Sequence, residues 1–186
     1  SGLVLVAKHR EVARELSWQF ERREVRKEYV ALVRGWPEWD GILCEAPILR
    51  AGEVEEGPIW VRQRVHPEGK PCTTDFEVMA RFERGEGRFA QVRCRPRTGR
   101  MHQIRVHLEY LGHPLVGDKI YGTDGSAYLE QLAGELSAGS IRRLILPRQA
   151  LHATSLGVWW GGKWVVWECA MPSDLARFSK GEVVGL

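Results

Sequence analysis

Apolar residues recur along this chain with two periods, and each period predicts an element. Leu3-Val4-Leu5-Val6-Ala7 is an unbroken apolar run, the pattern of a strand buried on both faces. His9 to Arg23 switches to helical spacing, with Val12, Ala13, Leu16 and Phe20 apolar and charges between them. "RKEYVALVRG" returns to alternation: Tyr29, Ala31 and Val33 share one face, Val30 and Leu32 the other, and Gly35 ends the strand. Residues 36–72 are broken by Pro and Gly into short strands or loops. "TTDFEVMARF" and "RFAQVRCRPR" form a predicted strand pair joined by the turn "ERGEG". A helix begins near Met101 and stops before Gly112, with Pro114 just beyond. After the loop "LGHPLVGDKIYG" comes a polar stretch around 126–140, and "LHATSLGVWWGGKWVVWECAMP" predicts a hairpin turning at Gly161-Gly162.

Strands that seldom alternate with helices predict an α+β fold, a largely antiparallel mixed sheet with a few flanking helices. The 186 residues are expected to form one domain, 1–186, large enough for a real core. Hydrophobic content of 44% and charged content of 27% are those of an ordinary globular protein. No apolar run approaches the roughly 18 residues of a membrane span, and the N-terminus lacks the basic region and cleavage site of a signal peptide. The expectation is a cytoplasmic protein with no membrane partner. Cys44, Cys72, Cys94 and Cys169 form no closely spaced pair, which predicts reduced thiols and no metal site. A net charge of +3 is compatible with a nucleic-acid partner without requiring one. Many of the eight tryptophans fall in the terminal hairpin, where core or interface packing is expected, with stacking on RNA as the alternative.

Where the charge falls is more informative than its sum. In "RTGRMHQIRVHL" (97–108), alternation sets Arg93, Arg95 and Arg97 on the strand face opposite Ala90, Val92 and Cys94. That ridge runs into Arg100, His102 and Arg105, a track suited to phosphates because each guanidinium presents a planar fork. On the helical wheel Ile104, Leu108 and Leu111 define the buried stripe, and Arg105 lies about 60° from Leu108 on its margin. An arginine so placed needs an anionic partner. The candidates are Glu109 one turn away, a carboxylate elsewhere in the chain, or a substrate phosphate. Left unpaired, Arg105 is expected to meet water, a bound anion, Glu109 or a second chain. Thr98 and Gly99 read as the turn that aims the helix. His102 admits two readings, a contact to RNA or a local structural hydrogen bond, while His107, His113 and His152 read as packing residues.

"GRMHQIRVHLEYLGHPLVGDKIYG" resembles the C-terminal signature of the RluA-type RNA pseudouridine synthases. "RKEYVALVRG", "GKPCTTDFEV" and "LHATSLGV" resemble three further segments of that family, in the same order. The resemblance implies isomerisation of specific uridines in ribosomal or transfer RNA, with no cofactor and no metal. It implies an aspartate nucleophile, an arginine paired with it at the position of Arg105, and at Tyr29 a tyrosine that packs on the target base and can move the proton from the new C–C bond. Lys27, Arg95, Arg97, Arg100, His102, Gln103 and Lys119 then become candidate RNA contacts. The family's aspartate stands in a His-Arg-Leu-Asp motif shortly before a Ser-Gly that matches Ser1-Gly2. The nucleophile is therefore expected about four residues upstream of Ser1. Asp75 and Asp118 match strand and turn positions and read as structural. On this reading the chain alone is inactive, and it works as a monomer or in assembly with its upstream segment. A non-catalytic RNA-binding relative, or an inactive fragment keeping the groove, is the alternative.

Overall fold

A computed structural model describes residues 1–182. Six strands form one sheet in the order β2-β5-β6-β1-β7-β8, comprising β1 (Arg26–Arg34), β2 (Gly41–Cys44), β5 (Thr74–Arg84), β6 (Gly87–Pro96), β7 (Leu151–Trp160) and β8 (Lys163–Glu168). Every pairing between these strands is antiparallel, and β3 (Ile48–Arg50) with β4 (Gln63–Val65) forms a separate two-stranded ribbon. The α+β architecture with flanking helices is the one the alternation predicts.

Alternation splits the sheet into two faces. On one, Ala31, Val33, Phe76, Ala90, Val92 and Cys94 are buried against Ile104 and Leu108 of α2 (Gln103–Tyr110). Tyr29 packs at the margin of that cluster. Further along, α1 (Arg10–Glu21) meets Val25 and Val158 through Leu16. The other face buries Leu32 and Phe89 beneath Leu175 and Phe178 of α5 (Ser173–Ser179) at one end and lies open at the other. Burying a side chain of this size is worth roughly 1.5–3 kcal/mol, so these two apolar layers fix strand register.

The hairpin 151–168 forms as predicted, with Gly161 and Gly162 both at positive φ. One expectation is corrected, and two regions gain detail. Residues 3–7 do not form a doubly buried strand: beyond an isolated bridge at Gly2 the run packs only Leu5 and Ala7, leaving Val4 82% and Val6 74% exposed. The polar stretch near 126–140 contains two short helices, α3 (Ser126–Leu132) and α4 (Ala138–Leu144); Ser137 caps α4 by accepting the Ser140 N–H. Of the readings for the hairpin tryptophans, core packing does not hold for Trp159, Trp160 and Trp167, which lie at the surface, and an interface or a contact to RNA remains.

Candidate functional site

The charged junction is built around one buried amide. Gln103, at the start of α2, is 3% exposed and uses all its hydrogen-bonding capacity. Its Oε1 accepts from the Thr98 hydroxyl at 2.8 Å and the Arg100 N–H at 3.0 Å. Its Nε2 donates to the Thr73 carbonyl and Thr74 Oγ1, both at 2.9 Å. Having donated its proton to Gln103, the Thr98 hydroxyl accepts from the Thr73 N–H. Thr74 Oγ1 passes the chain to His107 Nδ1, and His107 Nε2–H then donates to the Ala46 carbonyl. Gln103 is thus a bracket tying the ends of β5 and β6 to the helix. It has no valence left for RNA, and that expectation is withdrawn.

Two residues on, Arg105 is 8% exposed, and of the expected partners it meets the carboxylate elsewhere in the chain. Its Nε and Nη2 donate to the two carboxylate oxygens of Asp118 at 2.7 and 2.8 Å. Asp118 is itself buried, and its Oδ1 also accepts from the Ile120 and Tyr121 N–H groups at 2.9 and 3.1 Å. Four hydrogen bonds thereby offset the desolvation of a carboxylate that the sequence pattern assigned to a turn. Glu109, the local candidate, bonds instead to the Gly122 N–H and lies 3.6 Å from Arg62. The Arg105 guanidinium also sits 4.8 Å from the Tyr121 ring centre. Among the described residues no hydrogen bond is made by its Nη1, so the edge of the fork away from Asp118 is unengaged.

His102 precedes the helix in the left-handed region at φ 56°, where a non-glycine residue is strained. Its Nδ1 lies 2.9 Å from the Tyr121 hydroxyl, which accepts the Gln63 N–H at 3.0 Å. Burial pushes the Tyr121 phenol up to about 12, so it stays protonated and donates to His102 Nδ1. Burial first, then the Arg105 charge, lowers the His102 pKa to about 4. His102 is therefore a neutral imidazole with its proton on Nε2. Sequence reasoning placed Asp118 as a structural residue without pairing it to Arg105 and missed Tyr121; the signal for the pairing was an aspartate between Val116 and Ile120, where an unpaired carboxylate cannot survive burial.

Tyr29 sits in β1, opposite Cys94 and beside Ala153. It is half-buried, and that burial, aided by Cys94, raises its phenol pKa. No hydrogen bond to its hydroxyl occurs among the described residues. Ile104 joins it in the same apolar cluster, which puts Tyr29 on the sheet face covered by α2.

The arginine ridge is present but not bare. Arg93 and Arg95 share Glu28 and Glu77 at 3.0–3.2 Å, and Arg97 reaches Asp75 at 3.4 Å. The continuous cationic track is thus a cross-strand lattice, because β1 and β5 present acids opposite the β6 arginines. Arg97 and Arg100 remain exposed. Half-buried Lys27 donates to the Thr98 carbonyl and has its pKa lowered by burial. Lys119, half-buried on the far side of Asp118, donates to the Pro147 carbonyl.

A six-stranded antiparallel sheet with a buried arginine at the head of its covering helix defines an α+β domain whose chemistry gathers at the 97–121 junction. The RNA pseudouridylate synthase family model matches residues 1–110, and the chain belongs to that family. It is 38% identical over 179 residues to the ribosomal large subunit pseudouridine synthase D of Nitrosomonas europaea, a match covering 95% of this chain and 46% of that protein. It is 42% identical over 123 residues to human pseudouridylate synthase RPUSD2, covering 66% of this chain and 21% of that protein. The solved structure of human RNA pseudouridylate synthase domain containing 1 superposes with a TM-score of 0.68 at 26% identity, covering 89% of this chain and 62% of that one. The chain thus spans less than half the length of the curated relatives just named. Among the described residues no helix is long and apolar enough to cross a membrane.

Proposed function

We propose that this chain is the larger part of the catalytic domain of an RNA pseudouridine synthase acting on uridines of ribosomal or transfer RNA in the cytoplasm. The nucleophile would be an aspartate about four residues before Ser1. The observation that carries the reading is the half-used fork of Arg105: Asp118 holds Nε and Nη2, and the Nη1 edge is left for a second carboxylate. A guanidinium anchored this way holds an incoming aspartate ionised and oriented, as a nucleophile requires.

The path of the N-terminus supports the same reading. Ser1 and Leu3 bond to β7 at Leu151 and Ala153 in parallel register. Traced backward, that direction runs toward Pro147–Ala150, the stretch held against Val116 and Lys119 on either side of Asp118. Four residues of extended chain cover about 13 Å.

The aspartate either displaces uracil from C1′, forming an ester that C5 of the turned base then displaces, or adds to the base and is later eliminated. Either way the N1–C1′ bond breaks, a C5–C1′ bond forms, the carboxylate is released, and C5 loses a proton while N1 gains one. Tyr29, a neutral phenol with a raised pKa, is a poor resting base, so packing on the flipped uracil is its primary role. Arg97, Arg100, Lys27 and Lys119 serve the RNA backbone, Arg95 does so only by yielding its carboxylates, and His102 offers a neutral Nε2–H donor. The test is pseudouridine mapping of cellular RNA with and without the complete gene, and with Arg105→Lys and Tyr29→Phe. A uridine that loses its modification in the deletion and in Arg105→Lys supports the reading; an unchanged map overturns it.

A further inference from the structure

The open end of the sheet carries a second cationic feature. A groove of about 710 Å³ lies where β1, β6, β7 and β8 meet, rimmed by Arg23, Arg26, Lys27, Arg95 and Arg97 with Glu28 as its one lining carboxylate. Five cations against one acid exceed the +3 of the whole chain. Arg95 and Arg97 are partly neutralised by Glu28, Glu77 and Asp75, whereas Arg23 and Arg26 are exposed and have no carboxylate partner among the described residues.

Two local features show that this groove is shaped. Arg23 stands in the left-handed region at φ 60°. Helix α1 ends there in a Schellman motif, with the Arg23 N–H bonded to the Phe20 carbonyl and the Glu24 N–H to that of Gln19. Glycine is the usual residue at this position, and an arginine accepts backbone strain to hold its charge there. The helix end cannot shift to relieve it, because the buried Gln19 amide is bonded at both ends to the backbone of Trp159. On the neighbouring strands, Gly157 leaves room for the Trp164 ring: a Cβ there would lie 2.4 Å from its Cζ2. The ring lies across the sheet surface with the Arg26 guanidinium 5.2 Å from its centre.

We propose that this groove binds a single strand of RNA flanking the modified nucleotide, its phosphates on Arg23, Arg26 and Arg97 and one base against the Trp164–Arg26 pair. This rests on the RNA reading above and names its second contact surface. The groove lies on the sheet face opposite Tyr29, and the two meet near the start of β1, where Lys27 lines the groove and stands two residues, about 7 Å, from Tyr29. Single-stranded rather than duplex RNA fits because an aromatic ring beside guanidinium planes stacks on an unpaired base.

The test uses the complete protein and a fluorescein-labelled oligouridine about twelve nucleotides long, with a duplex of the same length as comparison. Trp164→Ala is expected to weaken single-strand binding about 5- to 100-fold. Arg23→Gly relieves the strained backbone, so its thermal midpoint should stay within about 2 °C of the parent. It should nevertheless lose affinity and reduce the salt slope by about 0.7, the value of one phosphate contact on a single strand. Arg142→Ala, on exposed α4, is the charge control and should bind as the parent does. Parent-like affinity and slope in both Trp164→Ala and Arg23→Gly overturn the proposal, as does equal loss for single strand and duplex. Pseudouridine formation by the parent, measured in parallel, separates the two claims. A parent that modifies no uridine, with variants that lose affinity, sinks the synthase reading and leaves the groove. An active parent with unaffected variants does the reverse.

Discussion

Asp118→Asn is the sharpest probe of the junction. The substitution keeps the side chain's shape and one oxygen, so the bonds from Ile120 and Tyr121 to Oδ1 can persist. What changes is the other side of the pair, where an amide NH2 would face the Arg105 Nε–H, donor against donor, in a site the solvent barely reaches. Breaking a buried ion pair from one side costs about 3–5 kcal/mol, because the surviving charge is left uncompensated. Keeping the Oδ1 bonds places Asn near the low end, about 3 kcal/mol; Asp118→Ala also orphans two N–H groups and should approach about 5. For a chain of this size, about 3 kcal/mol corresponds to a fall in thermal midpoint of roughly 6–12 °C. Urea unfolding followed by tryptophan fluorescence measures it, with an unchanged m-value showing that stability alone has moved. Arg105→Met combined with Asp118→Asn should recover much of the loss, since the uncompensated charge is gone while the Oδ1 acceptor for the Ile120 and Tyr121 N–H groups stays. A loss below about 1 kcal/mol for Asp118→Asn would place the pair among solvated surface bridges and refute its role as anchor of the junction.

Other predictions follow from the same contacts. Gln103→Leu strips four partners of their hydrogen bonds and should cost about 3 kcal/mol by urea unfolding, while leaving the salt dependence of RNA binding untouched. Gly117→Ala should abolish soluble expression or lower the melting temperature by more than about 10 °C: its φ is +72° and its new Cβ would fall 2.1 Å from the Arg148 carbonyl oxygen. His102 has a folded-state pKa of about 4, below its unfolded value of 6.5. Its contribution to stability is therefore complete above pH 6.5 and lost as pH falls toward 4. His102→Phe should flatten the stability–pH curve in that window, by about 1–2 kcal/mol once partial solvent access is allowed for; an equally steep curve would show that His102 does not titrate there.

How much of this was legible beforehand depends on whether the cause was local. Tyr29–Val33, the β5–β6 pair and the Gly161-Gly162 hairpin were readable because two-residue alternation and turn glycines are written along the strand itself. The demand of Arg105 for an anion was legible from its place on the wheel, but its partner lies thirteen residues on, and only the packing of the 115–121 loop under α2 brings Asp118 there. Gln103 and the arginine ridge misled for one reason: a polar side chain at a strand end or helix start looks free until the neighbours supplied by other strands are known. Three threonine and arginine backbone or hydroxyl groups saturate the first along with Thr74, and acids on β1 and β5 compensate the second. The helices at 126–144 were missed because each is only seven residues long, too short to show a periodic stripe.

The Gln103 bracket also bears on motion. Its bonds run in one direction, from the Thr73 N–H through Thr98 to Gln103, and from Gln103 through Thr74 and His107 to Ala46, so no hydroxyl can turn without breaking its neighbour's bond. The strand ends, the turn and the first turn of α2 therefore open to solvent together or not at all, as one exchange unit. An arginine carried by such a unit does not wait for RNA to order it. On the synthase reading proposed above, any adaptation to an RNA loop falls to the strand and loop surfaces around it, and the electrostatics offered to a nucleophile are set before a substrate arrives.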